Sequence, residues 1–214
     1  KNGGKGMKFK YHRWFQALVV PLVALAFHIF FGYRVIGREN IPEGGCVVCP
    51  NHVQLSDPPF AAVALGGKTP RRLMAKKELF RIPVLNWMIR ALGAYPVNRG
   101  GADVGAIRHT IRMLEDGKAV GMFPQGHRNN GVDPRTTKIH AGAAMIALRA
   151  GVPILPVFIR VPDNRMRAFC RKEVIIGKPI TPEEMHYDPE APGEYDRIMR
   201  MAFERVCALG DETP

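Results

Sequence analysis

Residues 46–59 read CVVCPNHVQLSDPP, and this stretch decides the fold. The short apolar run at 45–49 predicts a buried strand. Farther on, Asp57 stands directly before Pro58 and Pro59, so Asp57 is predicted to be a helix N-cap and Pro58 the first helical residue. The polar loop between the two elements therefore leaves the carboxyl end of a strand, where open α/β sheets bind ligands.

The rest of the chain repeats this alternation of short apolar runs and helical stretches. Further strands are predicted at 33–36, 72–75, 94–97, 119–123, 154–159 and 173–176. Helices are predicted at 58–65, 84–92, 102–115, 138–150 and 195–208. The alternation indicates an α/β fold with a mostly parallel central sheet flanked by helices, formed by one domain over 33–214.

The loop after the strand at 45–49 carries His52 and, five residues later, Asp57. A histidine accepts a proton near neutral pH, and a carboxylate on its other ring nitrogen fixes the tautomer and stabilises the imidazolium. On a continuous helix the two residues would lie about 140° apart, so they meet only if a turn separates them. Such a dyad would deprotonate a hydroxyl for attack on an acyl carbonyl. The alternative is that Asp57 only caps a helix and His52 is an ordinary loop residue.

Two more strand ends deliver polar groups. The block FPQGHR at 123–128 supplies Gly126, which lets the backbone approach a ligand closely, and Arg128, whose planar guanidinium suits phosphate. A glycine-rich turn after the strand at 94–97 supplies Arg99. A single arginine in a turn is usually just solvated. Three strand ends that deliver polar groups to one edge of a sheet instead indicate a ligand site.

The formal net charge of +12 indicates a polyanionic partner, either nucleic acid or an anionic membrane surface. No nucleic-acid partner is expected, because the basic residues lack a recognisable binding motif. Cys46 and Cys49 are three positions apart on a predicted strand and so point to opposite faces. This spacing argues against a shared metal ion and for plain buried thiols.

Residues 14–31, WFQALVVPLVALAFHIFF, are apolar apart from Gln16 and His28. A helix of this length spans about 27 Å, which is short for a hydrocarbon core of about 30 Å. Basic residues flank both ends and suit lipid headgroups. With Met7 expected as the natural start, 7–32 is predicted to be a membrane-associating helix that either spans the bilayer or lies in one leaflet. The alternative is a helix buried within the protein.

Four blocks, in order, resemble the glycerolipid acyltransferase family, which includes the 1-acylglycerol-3-phosphate acyltransferases. NHVQLSD at 51–57 matches the family's NHx4D motif, and FPQGHR at 123–128 resembles its FPEGTR block. GAYPVNRG at 93–100 and VPILPV at 152–157 resemble its second and fourth blocks. The resemblance covers most of the predicted α/β domain.

The resemblance implies an enzyme that moves a fatty acyl group from an acyl thioester, acyl-CoA or acyl carrier protein, to the free hydroxyl of 1-acylglycerol-3-phosphate, forming phosphatidate in phospholipid synthesis. His52 would be the general base and Asp57 its orienting partner. Arg99 and Arg128 would hold the acceptor phosphate, and Gly126 would allow its close approach. No bound cofactor or metal is implied. The implied partners are membrane lipids and the thioester donor, with the catalytic domain at the membrane and facing the cytoplasm.

The chain departs from the family in the third block, where Gln125 replaces the usual Glu and His127 the usual Thr or Ser. Gln125 cannot offer a carboxylate, but its amide both donates and accepts hydrogen bonds. It is therefore expected to bind an acceptor hydroxyl or to support the phosphate loop. His127 is the weaker candidate for the base, because no carboxylate follows it at a matching spacing. The departures leave open another lysolipid or phosphorylated acceptor, or a non-catalytic lipid-binding relative.

Overall fold

The computed structural model describes residues 13–66, 71–83, 86, 89–90, 93–97, 103–165 and 170–211. A seven-stranded sheet forms the centre of this part of the chain. Its strands are β1 (Arg34–Ile36), β2 (Cys46–Pro50), β3 (Arg71–Lys76), β4 (Ala94–Val97), β5 (Ala119–Gly121), β6 (Ile154–Arg160) and β7 (Glu173–Ile176). Across the sheet their order is β1-β7-β6-β2-β5-β3-β4.

Neighbouring strands run parallel everywhere except between β6 and β7. This confirms the predicted α/β fold with a mostly parallel sheet. Strands of a parallel sheet are covered on both faces, which explains why β2 reads as a continuous apolar run that is buried at every position. Because parallel strands end at the same edge, the loops after the neighbouring strands β2 and β5 leave the sheet side by side.

Helices cover both faces of the sheet. One face packs against α1 (Arg13–Phe31) and α2 (Asp57–Ala64), and the other against α3 (Val104–Glu115), α4 (Gly142–Ala150) and α5 (Glu194–Asp211). Successive β2 side chains alternate between the two cores, so Cys46 and Cys49 point to opposite faces as predicted. Both are buried free thiols.

Two of the element boundaries that differ from the prediction lie near the loop that follows β5. That strand ends at Gly121, earlier than predicted, because the chain then turns within the FPQGHR block. Helix α4 begins at Gly142, later than predicted, because the backbone before it is tied to the same loop. His140 N–H donates to the Pro124 carbonyl at 2.9 Å. The helix predicted at 84–92 lies largely outside the described residues.

Helix α1 packs one apolar side against α2. Phe27 and Phe31 contact the fully buried ring of Phe60, with ring centroids 4.0 and 5.4 Å apart. Tyr33 donates its hydroxyl to the Phe60 carbonyl at 2.9 Å. The opposite side of α1 is apolar yet exposed, at Leu22, Leu25, Ile29 and Phe30. None of the helices in the described part of the chain has the length and apolarity needed to cross a bilayer.

The aromatic contact between α1 and α2 should be a main source of stability. Phe60→Ala removes a ring that is 0% exposed, and we expect it to lower the free energy of unfolding by about 3–5 kcal/mol. Val104→Ala, at a position 52% exposed in the first turn of α3, should change that free energy by no more than about 0.5 kcal/mol. Urea unfolding of both variants measures the difference, and equal costs would show that this contact contributes little.

Candidate active site

The candidate site lies at the carboxyl edge of the sheet, between the loops that follow β2 and β5. These strands are direct neighbours, with Val48 paired to Gly121. The first loop carries His52 and Asp57, and the second carries the FPQGHR block. The two loops also bond to each other, since Asn129 N–H donates to the His52 carbonyl at 2.9 Å. The sheet thus joins two blocks that are far apart in sequence.

His52 and Asp57 form the predicted dyad. His52 Nδ1 lies 2.9 Å from Asp57 Oδ2. The Asp57 side chain is fully buried, whereas that of His52 is 13% exposed. The buried Asp57 carboxylate accepts a hydrogen bond from the ring, so Nδ1 carries the hydrogen and Nε2 is the nitrogen available to a substrate. The imidazole also packs against the Phe123 ring, with centroids 4.3 Å apart.

The turn that brings the dyad together is built by Asp57 itself. Its Oδ2 also accepts the main-chain N–H groups of Val53 at 2.6 Å and Gln54 at 2.7 Å. The predicted N-cap role of Asp57 is therefore wrong. Ser56 occupies the cap position, and Asp57 is the first residue of α2. Its carboxylate bonds backward into the loop rather than forward to the helix, because two loop amides and the imidazole converge on it.

Two amide side chains, those of Asn51 and Gln125, hold the main chain of the dyad loop. Asn51 pairs with the backbone of Ile159 in β6, accepting its N–H at 2.6 Å and donating to its carbonyl at 3.1 Å. Gln125 Oε1 accepts the His52 N–H at 2.6 Å, and Gln125 Nε2 donates to Thr137 Oγ1 at 2.7 Å. With 1% of its surface exposed, Gln125 lies beneath the loop rather than at its surface.

Gly126 and Arg128 occupy the outer part of the second loop. Gly126 has φ +70°, and a Cβ there would lie 3.1 Å from the His140 ring, so this turn requires glycine. Arg128 is exposed, and no carboxylate of the described residues pairs with it. Arg99, which follows β4, lies outside the described residues. The substrate-binding roles of Arg99, Gln125, Gly126 and Arg128 stay predictions.

Lys172 is a feature of this region that sequence reasoning missed. It is 2% exposed, and its Nζ lies 4.4 Å from the Phe31 ring centroid and 4.7 Å from that of Phe60. Burial lowers the pKa of Lys172, while electrostatic interactions with Cys170 and Asp57 raise it. Lys172 therefore interacts electrostatically with the buried carboxylate of the dyad. No sequence signal marks it, because a lysine is exposed by default.

The two cysteines of β2 do not provide a nucleophile at this site. Burial raises the pKa of Cys46 to about 12 and that of Cys49 still further. Thiols held in this form are poor nucleophiles. Across the ranges that the structure describes, His, Cys, Asp and Glu side chains form no cluster suited to a metal ion. The candidate for proton transfer at this site is the His52–Asp57 dyad.

Known proteins resemble this chain in sequence and in fold. The family model Acyltransferase matches residues 32–160. The 1-acyl-sn-glycerol-3-phosphate acyltransferase of Bacillus subtilis is 30% identical over 155 residues, which cover 70% of this chain and 74% of that protein. The enzyme of the same name from Borreliella burgdorferi is 33% identical over 133 residues, 61% of this chain. The matched region spans only about half of that relative, 52% of its length.

A solved structure extends the likeness to nearly the whole chain. The crystal structure of the 1-acyl-sn-glycerophosphate acyltransferase PlsC from Thermotoga maritima superposes with a TM-score of 0.66 at 25% identity. The match covers 94% of this chain and 83% of that one. The chain therefore belongs to the acyltransferase family, with His52 and Gln125 from two of its sequence blocks hydrogen-bonded to each other.

Proposed function

We propose that this protein is an acyltransferase that moves a fatty acyl group from acyl-CoA or acyl carrier protein to the free hydroxyl of 1-acylglycerol-3-phosphate, forming phosphatidate. The observation that carries the proposal is the dyad, because Asp57 Oδ2 binds His52 Nδ1 and leaves Nε2 for a substrate proton. The names of the relatives support the reaction class and the acceptor.

The dyad suits direct transfer between an alcohol and a thioester. His52 Nε2 takes the hydroxyl proton of the acceptor as its oxygen attacks the thioester carbonyl carbon. The new C–O bond forms, the C–S bond breaks, and the departing sulfur receives the proton from the imidazolium. Asp57 stabilises that imidazolium while it exists. No acyl group needs to rest on the protein, which agrees with the buried, protonated state of Cys46 and Cys49.

The acceptor phosphate would bind at the outer part of the second loop. Arg128 offers an exposed guanidinium, and the Gly126 backbone permits a ligand to approach closely. Arg99 would join them from the turn after β4. The overall charge of +12 favours an anionic substrate at an anionic membrane surface.

The exposed side of α1 would hold the protein on the membrane. Leu22, Leu25, Ile29 and Phe30 are each more than half exposed, although all are apolar. Exposed apolar residues on one side of a helix suit the acyl region of a bilayer. The other side of α1 packs against Phe60 in α2, whose first residue is Asp57. An acceptor embedded in lipid would therefore lie close to the dyad, with the catalytic domain at the cytoplasmic face.

A thiol-release assay tests the proposal. Purified protein is mixed with acyl-CoA or acyl carrier protein and with a series of lysophospholipid acceptors, and the products are identified by mass spectrometry. We expect one thiol per phosphatidate with 1-acylglycerol-3-phosphate. Transfer only to a different acceptor would replace the acceptor assignment. No thiol with any acceptor would leave a non-catalytic lipid-binding protein.

The first prediction concerns the base. His52→Ala should lower kcat by about 10²–10⁴-fold with the fold intact, because it removes the group that takes the acceptor proton. Asp57→Asn should also lower kcat, since it loses the orientation of the ring and the stabilisation of the imidazolium. His127→Ala removes the histidine of the second loop and should keep most of the turnover. A folded His52→Ala protein with near-normal kcat would exclude this assignment.

The second prediction concerns phosphate. Arg128→Ala should raise the acceptor KM roughly 10- to 100-fold, since a charge-assisted hydrogen bond contributes about 1.5–3 kcal/mol, while the KM of the thioester stays unchanged. Arg128→Lys should restore the affinity only partly, because lysine lacks the planar fork. Arg200→Ala, at an exposed position on α5, is the control. Equal acceptor KM values for Arg128→Ala and Arg200→Ala would place phosphate recognition elsewhere.

The third prediction concerns the membrane. The double variant Leu22→Gln and Ile29→Gln should lose most of its co-sedimentation with anionic liposomes, because it makes the exposed side of α1 polar. Activity on a short-chain, water-soluble acceptor should persist, since the side that packs on Phe60 is untouched. Val104→Gln alters an equally apolar exposed residue on α3 and should bind liposomes normally. Full sedimentation of the double variant would show that α1 is not the main anchor.

A further inference from the structure

A chain of directed hydrogen bonds runs under the dyad loop from His52 to the turn before α4. The His52 N–H donates to Gln125 Oε1 at 2.6 Å, and Gln125 Nε2 donates to Thr137 Oγ1 at 2.7 Å. The Thr137 hydroxyl in turn donates to the Pro134 carbonyl at 2.6 Å. We call these three bonds the Gln125 relay. In each bond, a donor of one group meets an acceptor of the next.

The direction of the relay is fixed by its two ends. A main-chain N–H only donates, so the group that meets His52 must be the oxygen of the Gln125 amide. A main-chain carbonyl only accepts, so the Thr137 hydroxyl must give its hydrogen to Pro134 and present a lone pair to Gln125. The middle of the relay therefore requires one acceptor and one donor on the same planar group. An amide meets this requirement and an ionised carboxylate does not.

The far end of the relay is held rigidly. Pro134 opens a short helical turn, Pro134–Thr136, and the side chain of its N-cap residue, Asp133, accepts the N–H of Arg135 at 2.9 Å. Arg135 forms an ion pair with Asp211 and donates to the Cys207 carbonyl, at 3.3 Å, both on α5. The relay thus connects the main chain of His52 to a helix on the opposite face of the sheet. Gln125 itself is almost fully buried, so water cannot replace a lost partner.

We propose that Gln125 and Thr137 are positioning residues that hold the His52 main chain, and with it the ring, at the geometry that proton transfer needs. This inference rests on the proposed function, because it assigns the relay to the same dyad. The relay holds the His52 N–H, while the main-chain N–H of Asn129 donates to the His52 carbonyl at 2.9 Å. With both main-chain groups held, the ring moves only about its side-chain torsions, and the Asp57 bond and the Phe123 ring restrict these.

Thr137→Val tests the proposal, with Thr136→Val as its matched control. Both remove one hydroxyl from adjacent threonines, but the Thr136 hydroxyl only donates to the Asp133 carbonyl, at 2.9 Å, and takes no part in the relay. Thr137→Val should lower kcat about 10- to 100-fold, the effect of a small misplacement of a catalytic group, with both KM values unchanged. Thr137→Ser keeps a hydroxyl and should restore most of the turnover.

Amide hydrogen exchange of His52, followed by NMR, provides a readout that does not depend on turnover. Exchange at His52 should accelerate in Thr137→Val and stay slow in Thr136→Val. A folded Thr137→Val protein with wild-type kcat and a protected His52 amide would overturn the proposal. A raised acceptor KM at unchanged kcat in Thr137→Val would also overturn the proposal and assign Gln125 to substrate binding. If wild-type protein transfers no acyl group, the proposed function fails, whereas the exchange result still decides whether the relay holds His52.

Discussion

The Asp57 carboxylate organises the site, because one of its oxygens accepts from the His52 ring and from two loop amides. This carboxylate is fully buried, and a buried charge without partners is very costly. The loop must therefore turn so that its amide groups point at the carboxylate. The same turn places the imidazole on that oxygen. Lys172, whose ammonium contacts two aromatic rings, also interacts electrostatically with Asp57. The hydrogen bonds that stabilise the buried charge therefore include the one that sets the tautomer of His52.

The parallel sheet gives this loop its surroundings. Because β2 lies between β5 and β6, the loop after it is bonded on one side to the FPQGHR loop, through Gln125, and on the other to β6, through Asn51. The same arrangement puts an exposed arginine, Arg128, at the outer rim of the site, while the amide of Gln125 stays beneath. The FPQGHR loop thus carries a buried supporting amide and an exposed guanidinium three residues apart.

The sequence predicts what depends on local or periodic features. The strands follow from short apolar runs, and the dyad follows from a five-residue spacing that ends directly before two prolines. The contacts that support the dyad are different in kind. Gln125 lies 73 residues from His52, and Asn51 lies 108 residues from Ile159, so these pairings exist only once the strand order is set. The late start of α4 has the same origin, since a bond from His140 to Pro124 holds the chain before the helix. Lys172 is buried because two aromatic rings from different helices meet there, which no local pattern reveals.

The central claim is that Asp57 holds the His52 ring with its hydrogen on Nδ1 and leaves Nε2 free to take a proton. A long-range ¹H–¹⁵N NMR spectrum of the histidine rings, recorded above the pH at which His52 becomes neutral, measures the tautomer directly. The hydrogen bond from the ring to Asp57 predicts that Nδ1 of His52 is protonated and Nε2 is not, and that Asp57→Asn disturbs this preference. A neutral His52 ring protonated on Nε2 in the wild-type protein would contradict it.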